Sequence, residues 1–189
     1  MRLSMTTAFL VLMAAPAAAN DFAPAMQEYM DSQLVAWAND PLLVDAIVAQ
    51  NAKTAGYDAA MLETLDQQWR AEVGTSPAPT ITPVLEHSAA DFLREQVEAS
   101  EGVIQEVFIM DAKGLNVAAS HATSDMWQGD EAKFSETFGN GAGSVHFSEI
   151  EFDESTQQYQ GQISMTIVDP ASGAPVGAIT VGIDAEALM

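Results

Sequence analysis

Between Gln158 and Ile167 the chain alternates without a break. Gln158, Gln160, Gln162, Ser164 and Thr166 are polar, and Tyr159, Gly161, Ile163, Met165 and Ile167 between them are not. Successive side chains of a strand point to opposite faces, so this period of two predicts a β-strand with one buried and one polar face. Such a strand belongs in a sheet covered on one side.

The same period begins at Val103. Ile104 to Met110 reads as a first strand, Asp111-Ala112-Lys113-Gly114 as a hairpin turn and Leu115 to Ser120 as a second strand. Met126 to Phe138 is expected as a short helical insert, Gly139 to Gly143 as a turn and Val145 to Phe152 as a third strand. Pro170-Ala171-Ser172-Gly173 then turns the chain into a last strand, Val176 to Asp184.

Before Val103 the apolar period is helical. Phe22, Met26, Tyr29, Met30, Leu34 and Trp37 predict one helix over about Asp21–Ala38. Asp40 and Pro41 form a cap-plus-proline start, and a further helix begins near Asp58. Thr82-Pro83 repeats that signal and predicts a helix running to Gly102. The order implies an α+β domain: helical residues 20–102, then sheet residues 103–189, with helices on one face of a five-stranded antiparallel sheet. A pocket is expected where the insert folds over the polar face.

Residues 1–19 are expected to be a cleavable signal peptide, with Arg2 ahead of the apolar Ala8 to Ala15 and Ala17-Ala18-Ala19 as the cleavage site. Its apolar run is about a dozen residues, short of the ~20 needed to span a bilayer. A soluble periplasmic domain is therefore expected. The full chain has 27 acidic residues against 6 basic, one of them Arg2 of the leader, for a net charge of −21. That balance repels phosphate backbones and anionic headgroups, which excludes nucleic acid as a partner and disfavours membrane insertion. The chain has no cysteine, so disulfides and thiol chemistry are excluded.

The run Val107 to Ala118 resembles the first hairpin of a Cache domain, the PAS-like (PDC-type) extracytoplasmic sensor fold. Thr123-Ser124-Asp125-Met126-Trp127-Gln128-Gly129-Asp130-Glu131 is similar to the segment after the second strand of such sensors, and Gly173 to Gly182 to their last hairpin. The resemblance covers about residues 21–189. It implies a PAS-like five-stranded antiparallel sheet with long N-terminal helices and a pocket for a small ligand, without catalysis. With no transmembrane or output segment expected, it also implies signal transduction through a membrane sensor partner, or a chain that simply holds the ligand.

Asp125, Trp127, Asp130, Glu131 and Lys133 form the densest polar-aromatic cluster. An aromatic plate beside carboxylates suits an amine, and Lys133 adds a group for a carboxylate, so an amino acid or small organic acid also fits. Ser120 and Thr123 leave the second strand where a pocket mouth would lie, and Tyr159 stands where it could close it. The candidate ligand-binding set is thus Ser120, Thr123, Asp125, Trp127, Asp130, Lys133 and Tyr159. The same residues also suit structural roles: Thr123 or Asp125 as helix cap, Trp127 and Tyr159 as core. Asp111, Asp153 and Ser155 are expected to serve turns. His87, His121 and His146 lack zinc-ligand spacing and no calcium-loop pattern occurs, so no metal or cofactor is expected. No nucleophile motif is present, and no enzyme is expected. A divalent-cation-binding acidic protein, or an interaction protein with a vestigial pocket, are the alternatives.

Overall fold

The structure, a computed structural model, describes residues 20–189; the expected leader over residues 1–19 lies outside the described residues. Helix α1 (Ala23–Tyr29) runs into five residues of wider helix, Met30–Leu34, in which the Val35 N–H donates to the Met30 carbonyl. Helix α2 (Pro41–Thr54) starts as expected, with the Asp40 carboxylate accepting the Leu42 N–H and Pro41 in the first turn. Asp58 caps helix α3 (Ala59–Glu72) through the Met61 N–H.

The single helix expected from Thr82 to Gly102 is two, α4 (Thr82–Leu85) and α5 (Ser88–Ala99). The chain turns extended at His87, whose Nδ1 accepts the Ala89 N–H and restarts the helix. Ile81 rather than Thr82 holds the cap position of α4, with no side-chain bond.

The sheet comprises β1 (Ile104–Met110), β2 (Asn116–Ala119), β3 (Val145–Phe147), β4 (Glu151–Asp153), β5 (Gln158–Val168) and β6 (Pro175–Asp184). All pairings are antiparallel, in the order β2-β1-β6-β5-β3 with β4 also on β5. The expected third strand, Val145 to Phe152, is thus two short strands sharing one edge of β5. Between them the Ser148 carbonyl accepts Asn20 Nδ2 at 2.6 Å. The sheet is therefore five positions wide, and the expected α+β class holds.

The insert is the larger departure. Only α6 (Ala132–Ser135) and a 3-10 turn at Phe138–Asn140 are helical. Met126 and Trp127 are not helical: the chain bends at Met126, and Asp66 Oδ1 on α3 accepts both their N–H groups at 3.0 and 3.1 Å. Trp127 also bridges Leu115 beside the first hairpin.

Helices cover both faces of the sheet, not one. On the apolar face Met26, Leu34, Leu43, Ile47 and Leu93 pack over Val107, Ile109, Ile163, Ile167 and Val181. Each such side chain contributes roughly 1.5–3 kcal/mol on burial. On the opposite face Trp69, Ile81, Val84 and Phe134 pack over Phe108, Met110, Ala119 and Ala178. The polar side of β5 is consequently buried at Gln160, Ser164 and Thr166. Ser164 and Thr180 satisfy each other across the strands, their hydroxyls 2.9 Å apart. The first hairpin is tied to α2 by Asp111. Its Oδ1 accepts the Lys113 and Leu115 N–H groups, and its Oδ2 accepts Thr54 Oγ1 at 2.8 Å.

Candidate functional site

A cavity of about 260 Å³ opens between the insert and the polar face of β5 and β4. Gln160 and Gln162 form its floor, Glu151 and Asp153 one wall, and Ser124, Glu131 and Lys133 the other. It narrows to a recess of about 20 Å³ that shares Ser124, Lys133, Asp153 and Gln162 and adds Glu106, Phe108, Gln128 and Ser155.

Antiparallel register builds this floor. Glu106 on β1 lies opposite Gly182 on β6, and Gly182 lies opposite Gln162 on β5. Gly182 has no side chain to fill the row, and a Cβ there would collide with Gln160 Oε1 and the Glu106 side chain. Glu106 can therefore reach across: its Oε1 accepts Gln160 Nε2 at 2.6 Å and Gln162 Nε2 at 3.2 Å. Its Oε2 accepts Ser155 Oγ at 3.3 Å and lies 3.5 Å from His121 Nε2.

Glu106 is 2% exposed. Burial and the neighbouring Asp153 charge push its pKa above the ordinary glutamate value, against the opposing pull of the Gln160 hydrogen bond, His121 and Lys133. Asp153 goes the other way. Burial tends to raise it, but hydrogen bonds from Ser155 and Thr156 outweigh that and hold its carboxyl below the usual range. The cavity wall thus keeps an ionised Asp153, whose bonded oxygen is Oδ1.

Lys133 is the basic residue of the cavity. Its Nζ lies 3.0 Å from Glu131 Oε2 and 5.5 Å from the centroid of the Phe108 ring. Gln128 Oε1 and Gln160 Oε1 are buried with no hydrogen-bond partner among the described residues. The lining therefore offers carboxylates and spare acceptors, and Lys133 alone among the cavity residues supplies a formal positive charge.

The structure divides the candidate residues expected from sequence. Lys133 lines the cavity and Thr123 the recess. Thr123 is also committed to structure, its Oγ1 donating to the Asp125 carbonyl and its own carbonyl accepting Trp69 Nε1. Ser120 Oγ accepts the Val107 N–H at the end of β2. Asp125 binds Arg70 and Gln128 rather than capping the insert helix, and burial and the Glu131 charge raise its pKa. Trp127 and Asp130 lie on a different groove, against Leu62 and Arg70 of α3, where Trp127 Nε1 donates to the Lys113 carbonyl. Tyr159 is 64% exposed and packs edge-on to Phe152, which lines the cavity, but does not line it itself.

Glu106, Ser124, Gln160 and Gln162 lie outside the expected set; Asp153 and Ser155 serve the turn expected of them, Asp153 Oδ1 accepting the Ser155 and Thr156 N–H groups, and line the cavity or its recess as well. The signals were present in an acidic residue within the apolar run Ile104–Met110 and in the glutamines of the alternating strand. Among the described residues no group of three or more His, Asp or Glu side chains is placed to hold a metal ion. No helix among them is long and apolar enough to cross a membrane.

No family model and no curated protein matches the chain. In three dimensions it is similar to the sensor domain of the V. cholerae histidine kinase DctB, at 14% identity and a TM-score of 0.44, over 88% of this chain and 55% of that one. It is also similar to the ligand-binding domain of the Campylobacter jejuni chemoreceptor Tlp3 in complex with 4-methylisoleucine, at 12% identity and a TM-score of 0.45, over 85% of this chain and 64% of that one. A third is the E. coli DcuS sensor domain, at 10% identity and a TM-score of 0.42, over 69% of this chain and 90% of that one. The chain spans less than two thirds of the DctB and Tlp3 domains.

Proposed function

We propose that this chain is a periplasmic ligand-binding sensor module that holds a small metabolite carrying a protonated amine and reports its ligand state to a membrane partner. The cavity on the polar sheet face carries the proposal. Its ionised Asp153, its buried Glu106 and its unpartnered glutamine carbonyls together call for a donor-rich cation. In such a site each charge-assisted hydrogen bond contributes about 1.5–3 kcal/mol. At about 260 Å³ the space falls below the ~300–1,000 Å³ of drug-sized sites, which suits a ligand of amino-acid or diamine size. The insert, joined to α3 through Asp66, is the element whose position ligand occupancy would change.

A thermal-shift screen of the soluble domain tests this. Alkylamines, diamines and amino acids are expected to raise the melting temperature at millimolar concentration, and amine-free organic acids to leave it unmoved. A response to organic acids alone would overturn the amine assignment. No response to any of them would remove the ligand-binding function.

A further inference from the structure

We propose that Lys133 is a built-in occupant of the cavity's ammonium site, which an incoming amine displaces; this rests on the cavity being the ligand site. The chain has only six Lys and Arg residues, yet one of them is seated in the cavity wall, its side chain 15% exposed. Burial of an ammonium is costly unless it is paired. Lys133 is paired as a bound amine would be, with Glu131 Oε2 at 3.0 Å on one side and the Phe108 ring at 5.5 Å on the other. Carboxylate and aromatic face form the two walls of an ammonium receptor.

Three further observations agree with occupancy by a surrogate. Lys133 borders both the outer cavity and the inner recess that Glu106 lines. Its charge counters the burial that raises the Glu106 pKa, as a ligand ammonium would. The acceptors Gln128 Oε1 and Gln160 Oε1 remain without partners, so Lys133 fills the charge requirement of the site without filling its hydrogen-bonding capacity. A ligand with more donors than one ammonium gains those bonds and pushes Lys133 outward. Because Lys133 belongs to α6, that displacement acts directly on the insert.

Chemical complementation tests this. Lys133→Ala removes the surrogate and leaves the carboxylates uncompensated, so the variant is expected to melt lower than the parent. n-Butylammonium, which reproduces the lysine side chain, is expected to raise the melting temperature of Lys133→Ala by several degrees and that of the parent by much less. n-Butanol and sodium chloride at matched concentration serve as neutral and ionic controls. Equal shifts in both proteins, or none in the variant, overturn the proposal. Lys133→Met keeps the packing and removes the charge, and it covers the case in which the alanine variant fails to fold. Calorimetry with 1,4-diaminobutane is expected to show at least tenfold tighter binding to Lys133→Met than to the parent, and unchanged or weaker binding overturns the surrogate role. Complementation of the variant in a protein whose parent binds no amine would support the surrogate and remove the sensing function. Amine binding by the parent with no complementation and no gain in Lys133→Met would do the reverse.

Discussion

Glu106 is a carboxylate buried on the polar face of the sheet beside Gln160 and Gln162, and its burial makes it a stability cost. Its pKa is raised on folding, so the folded state holds the proton more tightly than the unfolded state does. Stability from this group is therefore fully present below the ordinary glutamate value of ~4.3 and falls as pH rises through the folded value. Glu106→Gln removes the charge while its carbonyl can still accept from Gln160. The variant is expected to melt higher than the parent at neutral pH, with the advantage vanishing below about pH 4, and to lose amine affinity. Melting curves across pH check the first point; a variant that melts lower at pH 7 contradicts it. Asp153 has the opposite sign, since its folded pKa is depressed, and its contribution is lost as pH falls below the ordinary aspartate value of ~3.9. The sequence showed Glu106 as an acid among apolar neighbours. What it did not show was the register that sets Gly182 beside it and lets Gln160 and Gln162 bond it.

Elements whose ends are determined by local chemistry were legible. Strand β1 has the expected limits, Ile104–Met110, and the starts of α2 and α3 follow from Asp40 and Asp58 as caps. Elements that end through tertiary bonds were not. The non-helical segment at Met126–Trp127 is held by Asp66, sixty residues upstream, and the split between β3 and β4 coincides with a bond from Asn20. The break at His87 needed a histidine acting as a cap, a residue type outside the usual capping set. Close packing of elements makes its own prediction. Gly177 on β6 lies so near β1 and α2 that a Cβ would overlap the Met110 carbonyl and press on Ile47. Backbone cannot yield as a flexible side chain does, so Gly177→Ala is expected to cost about 1–3 kcal/mol. Denaturant titration checks this, and a loss under about 0.5 kcal/mol would show that the strands can separate to admit the methyl group.

At the scale of the molecule, the decisive feature is that both sheet faces are covered, in unequal ways. The apolar face carries a continuous core from α1, α2 and α5. The other face is apolar only toward β2, where Trp69, Val84 and Phe108 meet, and polar toward β4, where the cavity opens. A sheet covered on one side was expected from the alternating strand, because a period of two reports polarity and not exposure. An amine is predicted to bind in the cavity on that polar face and not in the groove of Trp127 and Asp130. Amide chemical-shift mapping during titration with the amine that gives the largest thermal shift tests it most directly. The largest changes are predicted at Ser124, Asp153, Gln160 and Gln162, spreading along the insert through Lys133. Changes centred instead on Trp127, Asp130, Leu62 and Arg70, with those cavity amides unmoved, would contradict it.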